Sequence, residues 1–160
     1  MSKILLSGVP GTGKSTLADY LENNLGYFHL DMEQNDFAPR HDLYQNSEEF
    51  LGRLAHHEII IISWGFGPFL DRSKIDYIRQ HGYSIVWLDG NRVASFREFM
   101  KRENNDPVKE AVYYSQMEMI VVTSIVKSLS PIVVNPFSQS GEFREVKEIA
   151  EEVIRKAKTA

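Results

Sequence analysis

The nine residues GVPGTGKST, Gly8 to Thr16, follow directly on the apolar run ILLS and constrain this chain more than anything else in it. Gly8, Gly13, Lys14 and Ser15 fill every fixed position of the pattern G-x-x-x-x-G-K-[ST], with a strand-like run before it and a helical one after it. The residue types have a chemical reason. Glycines at 8, 11 and 13 permit positive φ and leave room for phosphate oxygens against the backbone. Successive N–H groups then point inward as an anion nest, and the helix N-terminus adds partial positive charge. Lys14 reaches the β- and γ-phosphates, and Ser15 supplies a hydroxyl to Mg²⁺. With Pro10, Gly11, Thr12 and Thr16 completing it, the stretch reads as a loop binding the phosphates of ATP with Mg²⁺.

The rest of the chain alternates around that loop. Apolar runs at residues 3–7, 27–30, 58–63, 84–88 and 132–134 predict five strands. The run at 58–63 suits a central parallel strand buried on both faces. Helical spacing is present at 14–24, with Leu17, Leu21 and Leu25 in line and Gly26 as the stop. Further helices are expected at 47–57, 71–81, 92–102 and 141–158, and from a cap at Asp106 and Pro107 to about residue 129. Val93, Phe96, Phe99 and Met100 form the apolar side of the 92–102 helix. Phe143, Val146, Ile149, Val153 and Ile154 are in register on the last one. Residues 31–46 and 103–106 read as irregular. Both lie after a carboxyl strand end or the helix leaving one, where open α/β sheets bind ligands. The prediction is an α/β fold with a parallel sheet, one domain over residues 1–160.

Composition narrows the class. The net charge of −4 is the wrong sign for a generic nucleic-acid binder. The absence of cysteine excludes a disulfide framework and a thiolate metal site. The N-terminus enters a strand-like run within three residues, so no signal peptide is expected. IIII and MIVVTSIV are far short of a membrane span. These features predict a soluble cytoplasmic protein without membrane or nucleic-acid partners, a monomer or homodimer.

Four stretches carry a resemblance to a known family. The loop motif opens at residue 8 of a short single domain; FHLDME places Asp31 and Glu33 after the second strand; IVWLDGNRVASFREFMKRENND and IVVNPFSQSGEF follow later. In these the chain resembles the small nucleotide and metabolite kinases of the phosphate-loop class, the adenylate, shikimate and gluconate kinases. The resemblance implies a three-layer P-loop NTPase fold: a five-stranded parallel sheet, helices on both faces and a short lid over about residues 102–110. It implies an acceptor-side segment over about 31–57. It also implies transfer of the γ-phosphoryl of MgATP to a small-molecule acceptor, a nucleoside, nucleotide or hydroxylated metabolite. Asp31 and Glu33 are similar to the Asp-x-Asp of shikimate kinases, whose carboxylates approach Mg²⁺ and the acceptor hydroxyl. Arg102 matches the arginine that opens the lid and lies against the transferring phosphates. The last stretch is similar to the strand and loop that pack against adenine. Lys14, Asp31 and Arg102 are thereby the catalytic candidates, and Ser15 and Asp31 the metal ligands. The chain also departs from the pattern. Trp64 stands where nucleoside monophosphate kinases carry the aspartate of Asp-Gly-Phe-Pro-Arg, no arginine follows until Arg72, and Glu98 stands where a second lid arginine belongs.

Each candidate has a plainer alternative. Asp31 orients the acceptor hydroxyl, holds Mg²⁺, or merely caps a strand end. Glu33 shares the same choice. Asp89 resembles a Walker-B carboxylate or caps the next helix, the cap being favoured. Arg102 is a transition-state clamp or a solvated helix-end charge; Arg97 and Lys101 read as surface. Arg40 and Arg53 are placed to hold a carboxylate or phosphate of the acceptor. Trp64, Phe66 and Phe69 stack on a base or sugar, or form core. His56 and His57 lack ligand spacing and read as surface, and MEMIVV reads as core-facing helix. Two other functions fit the loop: a nucleotide hydrolase or switch without an acceptor, and a kinase of nucleic-acid ends, which the acidic balance disfavours.

Overall fold

Short, continuous apolar runs build the sheet. Its strands are β1 (Ser2–Gly8), β2 (Phe28–Asp31), β3 (Ile59–Ser63), β4 (Ser84–Leu88) and β5 (Ile132–Val134). All pair in parallel, in the order β2-β3-β1-β4-β5. The strand that ends in the loop motif is therefore central, with Ile4 opposite Ile61 on one side and Ser84 on the other. The computed structural model describes residues 2–66, 70–122 and 124–160.

Alternation sends successive side chains to two cores, because the sheet is covered on both faces. Ile4, Leu6, Ile61, Val86 and Leu88 pack with Leu17 and Leu21 of α1 (Lys14–Leu25) and with Ile149 and Val153 of α8 (Val146–Thr159). Leu5, Ile60, Ile62, Ile85 and Trp87 face the opposite layer. That layer contains α2 (Gln34–Gln45), α3 (Ser47–Leu54), α4 (Arg72–Gln80), α5 (Arg92–Arg102), α6 (Pro107–Val122) and α7 (Ile125–Leu129). Each fully buried Leu or Ile contributes roughly 1.5–3 kcal/mol. Five parallel strands with helices on both faces bear out the expected fold class.

Several local expectations need correction. Residues 38–45 are helical, not irregular. Asn35, Asp36 and Phe37 first turn through positive φ (49°, 53° and 62°), and the regular helix starts after them with Pro39 in its opening turn. A proline is harmless there because its missing N–H has no intrahelical partner anyway. The long helix expected to about residue 129 is broken at Ser124, φ 49°, into α6 and α7. The last helix begins at Val146 rather than 141, so Phe143 precedes it. Asn91, not Asp89, caps α5, its Oδ1 accepting from Ala94 N at 3.0 Å, while Asp89 pairs with Arg92 at 3.1 Å. Val93 is 80% exposed and does not share the apolar side of α5. In MEMIVV, Ile120 is buried but Val121 and Val122 face out. Asp106 does cap α6, accepting from Val108 N at 2.9 Å. Among the described residues no helix is long and apolar enough to cross a membrane.

Candidate active site

The loop is shaped by two contacts that its sequence permits. Gly11 has φ 79°, and a Cβ there would overlap the Ser95 carbonyl and lie 2.9 Å from Phe99 N, so α5 packs directly on the loop. Thr12, buried, donates from Oγ1 to Val9 O at 2.6 Å and pins the turn. Gly13, φ 81°, leads into α1 without a side-chain cap. The first N–H groups of α1 are thus left for an anion, next to the exposed Ser15 and Thr16.

A cavity of about 270 Å³ opens from this loop. Gly8, Pro10, Lys14 and Ser15 form its floor; Glu33 and Gly65, from the ends of β2 and β3, form one side. Arg102 and Glu103, at the end of α5, form another. Lys14 Nζ donates to Gly8 O at 3.2 Å and Val9 O at 3.3 Å. Burial pulls its pKa down from 10.5 to about 8, with Glu33 opposing and Arg102 adding to the shift. Glu33 moves the other way: burial, then the neighbouring Asp31, raise its carboxyl above the usual range, against the pull of Lys14. Arg102 holds Glu103 at 3.3 Å and lies over the Phe99 ring at 5.2 Å, while Lys109 approaches the same Glu103 at 3.9 Å.

Of the sequence candidates, Gly8, Pro10, Lys14, Ser15, Glu33, Phe66 and Arg102 line this one cavity. Other candidates stand elsewhere. The Asp31 carboxylate accepts from Glu33 N at 2.9 Å and sits behind Glu33, not on the cavity wall. Arg40 lies over Phe37 at 4.6 Å, and Arg53 is held by Asp42 at 3.0 Å. Trp64 is core, 2% exposed and edge-on to Phe66 and Tyr44. Its backbone N–H donates to Leu6 O at 2.9 Å, which continues the alternation of Ile60 and Ile62 by one step and turns the indole inward. Phe69 lies outside the described residues. Sequence reading missed the wall made by α6: Lys109, Val112, Gln116, Met119 and Ile120. Their spacing places them on one helix face, but nothing local says that this face meets the loop.

The sequence profile of the AAA domain family matches residues 4–150. No curated protein sequence matches the chain. Among solved structures, shikimate kinase from Bacteroides thetaiotaomicron has a TM-score of 0.67 at 15% identity, over 98% of this chain and 98% of that one. A gluconokinase from Sinorhizobium meliloti 1021 has a TM-score of 0.63 at 18% identity, over 99% of this chain and 92% of its own. The YorR protein of Bacillus subtilis, in complex with phosphorylated GDP, has a TM-score of 0.62 at 16% identity, over 98% and 96%. At these identities the likeness is one of fold, the fold of small P-loop kinases.

Proposed function

The chain belongs to the AAA domain family, and from that premise we propose that it is a kinase, an ATP-dependent phosphotransferase acting on a hydroxyl of a small molecule. The observation that carries this reading is the meeting of Lys14, Glu33 and Arg102 around one cavity at the phosphate-binding loop. A hydrolase and a transferase both use a carboxylate beside the loop; what favours the transferase is room next to it for a second substrate.

In this reading the N–H groups of the loop and of the first turn of α1 bind the phosphates, and Lys14 turns from Gly8 O and Val9 O toward them. Phe143, 43% exposed and stacked on Phe137 at 4.8 Å, borders an adjoining cavity with Thr16 and Glu98, where the base has its place. The Ser15 hydroxyl on the cavity wall is an oxygen donor of the kind that suits magnesium. Ser15 would hold the ion, which would supply positive charge against the phosphate oxygens; Asp31, off the cavity wall and bonded to Glu33 N, is not placed to join it.

The acceptor oxygen forms a bond to the γ-phosphorus as the bond to the β–γ bridging oxygen breaks, and ADP leaves. The hydroxyl proton passes to Glu33, whose raised pKa makes it the better acceptor. Asp31, bonded to the Glu33 N–H, positions that carboxylate. Arg102 stabilises the charge that grows on the transferring group.

The test is ADP formation from MgATP with and without a panel of hydroxylated acceptors, for wild type and Lys14→Ala. Acceptor-dependent turnover lost in Lys14→Ala supports the kinase. Turnover equally fast without any acceptor would replace it by a hydrolase.

A further inference from the structure

The acceptor side of the cavity has an unusual balance of charge and shape. One face of α6 supplies Val112, Gln116, Met119 and Ile120 to the wall. Phe66 and Trp87 line it too, with ring planes 29° apart and centroids 6.0 Å apart. These surfaces are flat and apolar apart from the Gln116 amide, which both donates and accepts.

The cations tell the same story. Lys14 belongs to the loop, and Arg102 and Lys109 share Glu103. The arginines of the acceptor side already have partners: Arg40 over Phe37 and facing Glu33, Arg53 on Asp42, Arg72 on Asp76 and the Ser128 carbonyl, Arg79 on the Leu129 carbonyl. Among the described residues none of these four borders the cavity, and residues 67–69 are Gly, Pro and Phe, which carry no charge. An acidic acceptor would bring its charge beside Glu33, where Lys109 of the α6 wall already approaches Glu103 and Arg40 already faces Glu33, and burying a charge without a full partner is costly.

We infer that the acceptor is a neutral nucleoside, its planar base held between the α6 face and the Phe66 side, its edge read by Gln116 and a sugar hydroxyl directed to Glu33. A nucleobase offers flat faces for the apolar walls and adjacent donor and acceptor atoms for an amide. The assignment rests on the kinase reading.

The experiment uses the full chain, MgATP labelled on the γ-phosphate, and three classes of probe: the nucleosides uridine, cytidine, adenosine and guanosine; their 5′-monophosphates; and the acids gluconate and shikimate. At least one nucleoside should exceed its monophosphate and both acids by at least about tenfold in kcat/KM. Gln116 is exposed, so Gln116→Leu should fold, with circular dichroism as the check. It should raise the nucleoside KM by about tenfold or more while ATP affinity, by calorimetry, changes less than about twofold. Preference for a monophosphate or an acid overturns the assignment and leaves the kinase standing. So does transfer to none of the probes while MgATP still binds through Lys14. An unchanged nucleoside KM in Gln116→Leu also overturns it. Loss of Lys14-dependent MgATP binding altogether would remove the kinase reading, and this assignment with it.

Discussion

Lys14, at the start of α1, and Glu33, in the turn after β2, face the same cavity, and burial displaces each of them from its charged form in spite of the other's opposite charge. A lysine pulled down and a carboxyl pushed up both make charge costly in the folded state. Neither shift serves stability, and both suit groups that meet a substrate.

The first consequence is a pH dependence of nucleotide binding. Lys14 is cationic below its folded pKa of about 8 and neutral above it, whereas in the unfolded chain it stays protonated to 10.5. Between those values the unfolded state holds more protons, so folding stability rises with pH there. Phosphate binding has the opposite slope because it needs the ammonium. MgATP affinity should fall about tenfold between roughly pH 7 and pH 9. Calorimetry across that range checks it, and Lys14→Met should lose the step together with most of the affinity. A flat profile in the wild type would mean that Lys14 does not touch the phosphates.

A second prediction separates the two carboxylates. Glu33→Gln should lower phosphoryl transfer by at least about a hundredfold, the lower range for a positioned base. Because the Glu33 pKa is raised on folding, its charge destabilises the fold above that pKa, and Glu33→Gln should melt no lower than wild type near neutral pH. Asp31→Asn keeps an oxygen to accept from the Glu33 N–H, so its rate loss should be smaller, about tenfold. The acid limb of kcat/KM should be absent in Glu33→Gln and present in Asp31→Asn. A greater loss in Asp31→Asn would exchange the two roles.

How much of this was legible in the sequence follows from how local each signal is. The strands and α1 were, because continuous apolar runs and the loop motif are contained within a few residues. The helix at 38–45 was not, because Pro39 reads as a breaker unless one knows that a left-handed turn at 35–37 precedes it. The Asx-type bond from Glu33 N to Asp31 is local too, yet only the fold shows that it sets Glu33 on the cavity wall and Asp31 behind it. Trp64 looked available to a ligand because it follows a strand; one further step of sheet alternation buries it. The α6 wall is the least legible part. Gln116 meets the loop only through the packing of α6 against α5, where Tyr113 bonds Ser95 at 2.7 Å.

Arg102 offers a third prediction. Its guanidinium is exposed and, among the described residues, held by Glu103 and the Phe99 face, so it can reorient toward phosphates. Arg102→Ala should lower kcat more than it weakens ATP binding, because the charge it stabilises grows in the transition state. Arg102→Lys should recover only part of the rate, since a point charge does not replace a planar fork. Steady-state kinetics and calorimetry on both variants decide it. Small, equal effects would make Arg102 a solvated helix-end charge.

The packing of α5 on the loop yields the last prediction. Gly11 and Gly82 both have positive φ, 79° and 85°, but their surroundings differ. A Cβ at Gly82 would meet nothing within 4 Å, whereas at Gly11 it would overlap the Ser95 carbonyl and press on Phe99. Gly82→Ala should therefore cost only the left-handed backbone penalty, about 1–2 kcal/mol. Gly11→Ala should cost that and also force α5 away from the loop, at least about 2 kcal/mol more, in the range of overpacking. Urea unfolding of the two variants isolates the difference. Because α5 carries Arg102 at its end, Gly11→Ala should also depress transfer beyond its effect on MgATP affinity, in a protein still folded at low denaturant. Equal destabilisation in the two variants would show that α5 does not rest on the loop, and would detach Arg102 from the site.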